Sequence, residues 1–184
     1  MIEMDKFTEN TIESKTIYDG KVVHLKVDDV TLPNGKTAKR EIINHPGAVA
    51  VIAITEENKI VFVEQYRKPL EKSLIELPAG KLEKGEKPEL TGIRELEEET
   101  GYTTNNLSLV TSFYTSPGFA DELMYIYITD EIKKIENPPA GDEDEFVEIL
   151  ELSLDEAKKY VEEERIHDAK TNYAILYLHA LGRF

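Results

Sequence analysis

The residues best suited to chemistry lie in RELEEETG (residues 94–101), where four of five consecutive positions are glutamates. On a helix with about 100° per residue, Glu95, Glu98 and Glu99 gather on one side because they are three and four positions apart. Glu97 projects elsewhere on the same helix. Like charges at this spacing repel by about 0.2–0.5 kcal/mol per pair. Three carboxylates on one side therefore call for a compensating cation.

The position of these carboxylates within the helix strengthens that expectation. Gly101 is expected just past the helix C-terminus, where the helix dipole is negative and favours Lys or Arg. Hard carboxylate oxygens suit Mg²⁺ or Mn²⁺. The sequence therefore indicates a divalent metal site, and the alternative is a solvated acidic face without a ligand. Leu90, Ile93 and Leu96 are predicted to form the buried side of this helix.

The preceding loop, GKLEKGEKPE (residues 80–89), superficially resembles a phosphate-binding P-loop. The pattern G-x-x-x-x-G-K-[S/T] needs a lysine where this chain has Glu86. A carboxylate at that position would repel a phosphate unless a metal ion bridged the two groups. The loop and the helix together therefore favour chemistry in which carboxylates hold a metal ion and the metal ion holds a phosphate.

The whole segment resembles the Nudix box, G-x5-E-x7-R-E-U-x-E-E-x-G-U, in which U is a bulky apolar or aromatic residue. Gly80 is followed by five residues to Glu86 and then by seven to Arg94, and RELEEETGY completes the pattern up to Tyr102. Every defined position is filled. The resemblance implies the Nudix fold, an α+β architecture in which helices cover both sides of a mixed β-sheet (an α/β/α sandwich). It also implies hydrolysis of a nucleoside diphosphate linked to another moiety.

The resemblance further implies roles for individual residues. Arg94, four positions before Glu98, is expected to orient the carboxylates, and both residues are catalytic candidates. The expected cofactor is Mg²⁺, with Mn²⁺ as the alternative, in two or three ions. The implied metal ligands are oxygen donors, namely the Ala79 carbonyl and the carboxylates of Glu86, Glu95, Glu98 and Glu99.

A second acidic cluster, GDEDEF (residues 141–146), lies on a predicted loop before a strand. Members of the Nudix family place a mobile catalytic glutamate on the corresponding loop, where it acts as general base or holds the attacking water. The resemblance makes Glu143 the first candidate for the base and Glu145 the second. Four adjacent acids can shift in register, and an acidic loop that is merely exposed is the alternative.

The substrate is narrowed by TSPGFADE (residues 115–122), which contains Pro117 and Gly118. A proline sixteen residues after Gly101, within S-P-G, resembles the ADP-ribose pyrophosphatase branch of the family. The alternative is an ordinary Pro-Gly turn between strands. The stretches KREIINHPGAVAV, VEQYRKP and ELPAGKLEKGE resemble the same branch. The resemblance implies Mg²⁺-dependent hydrolysis of ADP-ribose to AMP and ribose 5-phosphate.

Two arginines, Arg40 and Arg67, are the best local cations for the diphosphate or the terminal ribose of such a substrate. Arg40 together with Glu41 is alternatively expected near the adenine. Surface arginines are common, so the competing interpretation is that neither contacts the substrate. With Pro117 and Gly118, these residues make up the substrate-binding candidates.

Length and composition limit the other classes of protein. A chain of 184 residues with 40 % hydrophobic content suits one compact domain with a small appendage. The net charge of -15 argues against a nucleic-acid partner. With no cysteine, disulfides are excluded and a reducing compartment is expected. The longest apolar run, AVAVIAI, is too short to cross a membrane and the acidic N-terminus lacks a signal peptide's apolar core, so we expect a cytoplasmic protein.

Strands are predicted to outnumber helices, which favours a mixed sheet flanked by helices. Asn34-Gly35, between two alternating runs, predicts a β-hairpin. Residues 1–44 are predicted to form an N-terminal β-subdomain, which by the resemblance builds a homodimer, and residues 45–184 the Nudix domain. A second hairpin is predicted from the two β-rich runs that residues 56–58 connect.

Two C-terminal helices are predicted from their caps. Ser153 with Glu156 makes a capping box for a helix that runs to about residue 164. Asp168 and Gly182 are expected to bound a final helix.

Three alternative functions stay open at this point. One is hydrolysis of another nucleotide sugar, or of a flavin or dinucleotide diphosphate. Another is a non-catalytic sensor that binds ADP-ribose, although such domains usually lose box glutamates and here all are present. The third is an acidic interaction protein, which would show no metal-dependent activity.

Overall fold

The computed structural model describes residues 6–139, 141 and 146–182, which form two compact units. One unit contains the described residues up to Pro46 together with Tyr114–Leu123, and the other contains the described residues of Gly47–Phe113 and Met124–Phe184. The predicted domain boundaries, 1–44 and 45–184, stay a prediction. They assign the segment 114–123 to the second domain, whereas the structure has it in the first unit.

The first unit is built on an antiparallel sheet in the order β1-β2-β3. Its strands are β1 (Asn10–Asp19), β2 (His24–Thr31) and β3 (Thr37–Asn44). The turn between β2 and β3 contains Gly35 at φ 80°, a left-handed conformation that glycine adopts without steric cost. The hairpin predicted from Asn34-Gly35 is therefore confirmed.

The segment Tyr114–Leu123 joins the first unit through the end of β3. The backbone N–H of Ile43 donates to the Phe119 carbonyl at 2.8 Å. The Asp121 carboxylate accepts hydrogen bonds from the Asn44 side chain and from the His45 backbone, each at 2.7 Å. These bonds hold the predicted substrate loop beside the strand that carries two further substrate-binding candidates.

The second unit is centred on β4 (Ala48–Ala53), in which every residue is buried. It lies in a four-stranded sheet in the order β7-β4-β10-β9. β4 is antiparallel to β7 (Ala79–Lys81) and parallel to β10 (Leu123–Thr129), and β9 spans Ser108–Tyr114. The sheet is therefore mixed, and the apolar run AVAVIA is explained by burial of both of its faces.

Two smaller sheets complete the strands of this unit. One has the order β12-β5-β6, and the other pairs β11 with β8. A 3₁₀ turn follows β5. The bounds are β5 (Ile60–Arg67), β6 (Lys72–Glu76), β8 (Tyr102–Thr103), β11 (Lys133–Lys134) and β12 (Val147–Leu152).

The hairpin predicted for β4 and β5 is wrong. The expected tight turn is present, since Thr55 N–H donates to the Lys59 carbonyl at 2.8 Å and Asn58 has φ 56°. Beyond a single bridge between Ile54 and Ile60, however, the strands enter different sheets. They separate because both edges of β4 are already paired, with β7 and with β10.

Three α-helices are present in the described residues: α1 (Pro88–Thr100), α2 (Leu154–Glu162) and α3 (Ala169–Leu181). The caps predicted for α2 and α3 are confirmed. Ser153 forms the capping box of α2, and the Asp168 side chain accepts from the Thr171 N–H at the start of α3. None of the helices in the described residues is both long enough and apolar enough to cross a bilayer.

Helices cover β4 from two sides. Val49 and Val51 belong to one buried cluster with Leu96 of α1. Ala50 and Ile52, which point the other way, belong to a second cluster that includes residues of α2 and α3. The predicted α+β architecture, an α/β/α sandwich with a mixed sheet, is confirmed for this unit.

The buried face of α1 differs from the predicted one. Leu90 is 55 % exposed, and a methyl group on Gly92 would lie only 3.1–3.3 Å from side-chain atoms of Leu107, Val49 and Val51. The helix therefore approaches the sheet through a glycine, which accounts for a residue that costs about 1 kcal/mol of helix propensity relative to alanine. The buried residues of α1 are Thr91, Gly92, Glu95, Leu96, Glu99 and Thr100.

Replacing Gly92 by valine should lower the free energy of unfolding by about 1–3 kcal/mol, because the added atoms would push α1 away from β4. Leu90→Val is the matched control, since it introduces the same β-branched residue at an exposed position of the same helix. We expect that control to change stability by less than about 0.5 kcal/mol. Urea unfolding followed by circular dichroism measures both variants. Equal losses of stability would contradict the close approach at Gly92.

Candidate active site

Helix α1 is bounded by residues that suit its two ends. Pro88 occupies the first turn, where a missing backbone N–H costs nothing. Gly101 ends the helix at φ 66°, and its N–H donates to the Glu97 carbonyl at 3.0 Å. The last turn contains no basic residue. The carboxylates at this end therefore receive no help from the helix itself.

Arg94 lies at the centre of the acidic cluster and contacts three carboxylates. Its Nη1 donates hydrogen bonds to Glu95 Oε1 at 2.8 Å and to Glu98 Oε2 at 3.0 Å. Its Nε and Nη2 donate to Glu86 at 3.3 and 3.2 Å. The contact with Glu98 is the one that the i,i+4 spacing predicts. One guanidinium thus holds carboxylates from both the loop and the helix.

The hydrogen bonds of this cluster shift the acidity of its members. The pKa of Glu86 is lowered, chiefly by its hydrogen bond from Arg94 and further by one from Thr91 Oγ1 at 2.7 Å. Burial works against the charged form of Arg94, but hydrogen bonding to Glu86 and the charge of Glu95 outweigh it, so the pKa of Arg94 is raised. Both groups are therefore charged at neutral pH.

The carboxylate of Glu99 is held by a backbone hydrogen bond from β7. It is 5 % exposed, and its Oε2 accepts a hydrogen bond from the Ala79 N–H at 2.9 Å. Ala79 is the first residue of β7, which pairs with β4. The backbone whose carbonyl is the predicted metal ligand is thereby tied to one of the predicted carboxylate ligands.

Gly80 makes room for a second buried carboxylate. A methyl group built on Gly80 would collide with the carboxylate of Glu95, which is 9 % exposed. Only glycine lets the backbone of β7 approach this side chain so closely. The first glycine of the sequence pattern is therefore explained by a contact inside the site.

Glu97 is separate from this cluster, as the helical wheel predicts. Its Oε1 accepts a hydrogen bond from Thr103 Oγ1 at 2.5 Å, on the strand that follows the helix. The side chain thus bonds to a neighbouring element rather than to Arg94. The four glutamates of this helix end consequently serve two different purposes.

The chemistry of the cluster fits a divalent cation. Three carboxylates lie around one guanidinium, and a fourth, that of Glu99, is held by the Ala79 N–H. Their oxygens are the hard donors that Mg²⁺ and Mn²⁺ prefer. Within the described ranges, no three acidic or histidine side chains already meet with the geometry of a metal site. Arg94 supplies the counter-charge there instead. The assignment of metal ligands stays a prediction.

The arrangement of this site matches a known family. A model of the NUDIX domain matches residues 44–172. The chain belongs to the Nudix family. A model of the nucleoside diphosphate sugar hydrolase N-terminal domain matches residues 9–43, which include most of the three-stranded sheet. The resemblance that the box predicted is confirmed, and the enzyme class is that of a Nudix hydrolase.

Several characterised proteins are similar over nearly the whole chain. A methanol dehydrogenase activator from Bacillus methanolicus is 62 % identical over 94 % of this chain and 93 % of its own length. An ADP-ribose pyrophosphatase from Bacillus subtilis (strain 168) is 57 % identical over 95 % of each chain. A crystal structure of an ADP compounds hydrolase superposes with a TM-score of 0.82 at 19 % identity, covering 96 % of this chain and 97 % of that one. That likeness supports the Nudix fold.

The two candidates for the catalytic base, Glu143 and Glu145, lie outside the described residues. Their assignment stays a prediction of the Nudix resemblance. Helix and loop residues of the box carry the part of the site that the structure does describe.

The substrate-binding candidates of the first unit have the following contacts. Arg40 on β3 donates to the Glu9 carboxylate at 2.6 and 2.8 Å, and Glu41 lies beside it on the same strand, paired with Val27. Pro117 and Gly118 lie in a turn that the Ser116 carbonyl closes, accepting from Phe119 N–H at 3.1 Å. The turn that was the competing interpretation is present, and the substrate roles stay a prediction.

Arg67, in the second unit, forms an ion pair with a carboxylate that the spacing of residues in the sequence does not predict. Its Nε and Nη2 donate to Glu76 at 2.6 and 2.9 Å. Glu76 is 3 % exposed and also accepts a hydrogen bond from Lys170. A glutamate within the otherwise apolar run LIEL was the available signal, because a buried carboxylate requires a cation.

Replacing Gly80 by alanine should displace the Glu95 carboxylate and lower both Mn²⁺ affinity and turnover by about 10- to 100-fold. Titration calorimetry with Mn²⁺ measures the affinity without requiring a substrate. Lys84→Ala, an exposed change in the same loop, is the control and should leave affinity unchanged. Normal Mn²⁺ binding by the Gly80 variant would show that Glu95 is not a ligand, or that its position is not set by Gly80.

Proposed function

We propose that this Nudix hydrolase cleaves the diphosphate bond of ADP-ribose, with Mg²⁺ as its cofactor. Water adds to one phosphorus, the bond from that phosphorus to the bridging oxygen breaks, and the products are AMP and ribose 5-phosphate. The observation that carries the proposal is the complete Nudix box, with its carboxylates gathered around Arg94. The substrate follows from the 57 % identity with the Bacillus subtilis ADP-ribose pyrophosphatase.

The metal would be held by the Ala79 carbonyl and the carboxylates of Glu86, Glu95, Glu98 and Glu99. When bound, Mg²⁺ neutralises phosphate charge and acidifies water. Arg94 holds three of these carboxylates at fixed positions through its hydrogen bonds. The Ala79 N–H donates to one oxygen of Glu99, which ties this carboxylate to the strand that carries the predicted backbone ligand.

The proton of the attacking water needs an acceptor. We assign this role to the carboxylate of Glu143, with Glu145 as the second candidate, on the Nudix resemblance alone. A carboxylate can take this proton because water beside a divalent metal ion is far more acidic than bulk water. Arg94 is unsuited to the role, since its raised pKa keeps the guanidinium protonated.

The diphosphate itself needs a cation. Arg67 is our candidate in the second unit, because its Nη1 makes no hydrogen bond to the described residues and its side chain is 39 % exposed. Arg40 with Glu41, and the turn at Pro117 and Gly118, are the remaining substrate candidates. Their roles rest on the resemblance to the ADP-ribose pyrophosphatase branch.

We further propose that the chain forms a homodimer through its N-terminal sheet. Every residue of β1 is exposed, including the apolar side chains of Ile12, Ile17 and Tyr18. Exposed apolar side chains along one strand are typical of an interface. The acidic composition without cysteine suits a cytoplasmic location.

With Mg²⁺ and a panel of nucleoside diphosphate derivatives, ADP-ribose should give the highest kcat/KM. Glu98→Gln should lower its kcat by at least about 100-fold, because a neutral amide is a poorer metal ligand than a carboxylate. Glu97→Gln is the matched control, since Glu97 lies one residue away but bonds to Thr103. We expect this control to retain activity.

The same panel distinguishes the alternatives. A higher kcat/KM for another nucleotide sugar would overturn the substrate while leaving the Nudix assignment intact. Binding of ADP-ribose without any metal-dependent hydrolysis would favour a sensor. Near-normal turnover by Glu98→Gln would exclude Glu98 from the metal site.

Activation of an alcohol dehydrogenase is a second candidate function, favoured by the 62 % identity with the methanol dehydrogenase activator. If the chain has this function, adding it with Mg²⁺ should raise the initial rate of methanol oxidation by a purified methanol dehydrogenase. Glu98→Gln shows whether activation needs the Nudix site. An unchanged rate in the presence of excess wild-type chain would exclude this candidate.

A further inference from the structure

A buried network of charges lies next to the Nudix site but outside the box. Glu76, the last residue of β6, accepts hydrogen bonds from Arg67 and from Lys170 Nζ. Glu76 and Lys170 are 3 % and 9 % exposed, so both charges are removed from water. The box chemistry described above does not use Lys170, Glu76 or the contact between them.

Lys170 is itself fixed in position. It lies in the first turn of α3, and its Nζ also donates to Asp168 Oδ1 at 2.9 Å. The same Asp168 oxygen accepts from the Thr171 N–H at 3.1 Å and caps the helix. The ammonium group therefore reaches Glu76 from a rigid helix terminus rather than from a flexible surface.

The pairing with Glu76 also fixes the orientation of Arg67. Nε and Nη2 of the planar guanidinium contact the two carboxylate oxygens at 2.6 and 2.9 Å, a bidentate pair that sets the plane as well as the distance. Nη1 is on the opposite edge and makes no hydrogen bond to the described residues. Glu76, which holds Arg67, lies three residues before Ala79, whose carbonyl is a predicted metal ligand. The charge of Glu99, another predicted ligand, contributes to the raised pKa of Arg67.

Glu76 depends on two cations to stay ionised. Burial raises the pKa of its carboxyl group, and the hydrogen bonds and charges of Arg67 and Lys170 outweigh burial and lower it. A buried carboxylate that loses one of two cationic partners loses one of the contacts that fix its position. It also takes up a proton more readily, and it then lacks the charge that holds a guanidinium. Lys170 thereby affects Arg67 without touching it.

We propose that Lys170 is a positioning residue for the diphosphate substrate: acting through Glu76, it holds Arg67 with Nη1 directed at a phosphate oxygen. The proposal rests on the proposed function, because it takes Arg67 as the cation that meets the diphosphate. Its specific content is that a lysine of α3, 103 positions after Arg67 in the chain, sets substrate affinity. A purely structural role for Lys170 would instead affect stability alone.

The geometric part is tested by nuclear magnetic resonance of the arginine Nε–H groups, which requires no substrate. The Arg67 signal is assigned by its loss in Arg67→Lys. In wild type it should be downfield-shifted and protected from exchange with water. In Lys170→Met it should move to the position of exposed arginines, and Lys170→Arg should restore it. An unchanged Arg67 signal in Lys170→Met would overturn the proposal.

The functional part is tested by steady-state kinetics with ADP-ribose and Mg²⁺. Lys170→Met should raise KM on the order of tenfold with a smaller effect on kcat, because the guanidinium is misplaced rather than removed. In an Arg67→Ala background, the same change should raise KM no further, since Lys170 acts through Arg67. Additive increases in KM would overturn the proposal.

Two control variants separate positioning from stability. Lys158→Met removes a lysine of α2 that bonds to Asp155 at 3.2 Å, and it should alter neither KM nor the Arg67 signal. Ile175→Val weakens the core packing of α3 without touching the network, so it should lower the thermal midpoint and leave KM unchanged. A Lys170→Met variant that behaves like Ile175→Val would overturn the proposal.

If Lys170→Met does not fold, Lys170→Gln, which keeps a hydrogen-bond donor but no charge, carries the same expectations. If wild type does not hydrolyse ADP-ribose, the proposed function fails. The resonance experiment still decides whether Lys170 positions Arg67, so the two failures are distinguishable.

Discussion

Repulsion among the carboxylates of α1 is the constraint on which the rest of the site depends. Three of them share one side of a helix whose C-terminal end is itself negative. Two groups offset this repulsion by donating hydrogen bonds to the carboxylates: the guanidinium of Arg94 and the backbone N–H of Ala79. The two donors lie on different elements, the helix and the strand, and Arg94 also bonds to the loop. Loop, strand and helix must therefore keep fixed relative positions for the carboxylates to lie so close together.

The relative positions of these elements are set by β4. Its edges pair with β7 and β10, which places Ala79 and Gly80 beside the helix. One of its faces receives α1 at Gly92, where no side chain holds helix and strand apart. The other face packs against residues of α2 and α3. β4, which has only apolar side chains, thus determines where the reactive side chains of the site lie.

The sequence predicted the features that depend on neighbouring residues. Cap residues, the hairpin at Gly35 and the Nudix box are such features, and their structural counterparts are present. The wheel correctly separated Glu97 from the other glutamates but placed the buried stripe at Leu90, because a wheel gives angles between residues and not which side meets the sheet. The β4–β5 hairpin failed because the edges of β4 are occupied by distant strands. The pair of Glu76 and Lys170 could not be predicted, since 94 residues separate them.

The contacts between α3 and the end of β6 have a consequence for the order in which the chain folds. Lys170 contacts Glu76, and Thr171 Oγ1 accepts a hydrogen bond from the Leu77 N–H at 3.0 Å, again across 94 residues. Contacts between such distant positions form slowly, because a long loop must close first. During synthesis on the ribosome, the Nudix box is complete once Tyr102 has been added. β6, which precedes the box, cannot make its contacts with α3 until that helix has been synthesised. Activity should therefore appear in the nascent chain only after α3 has docked.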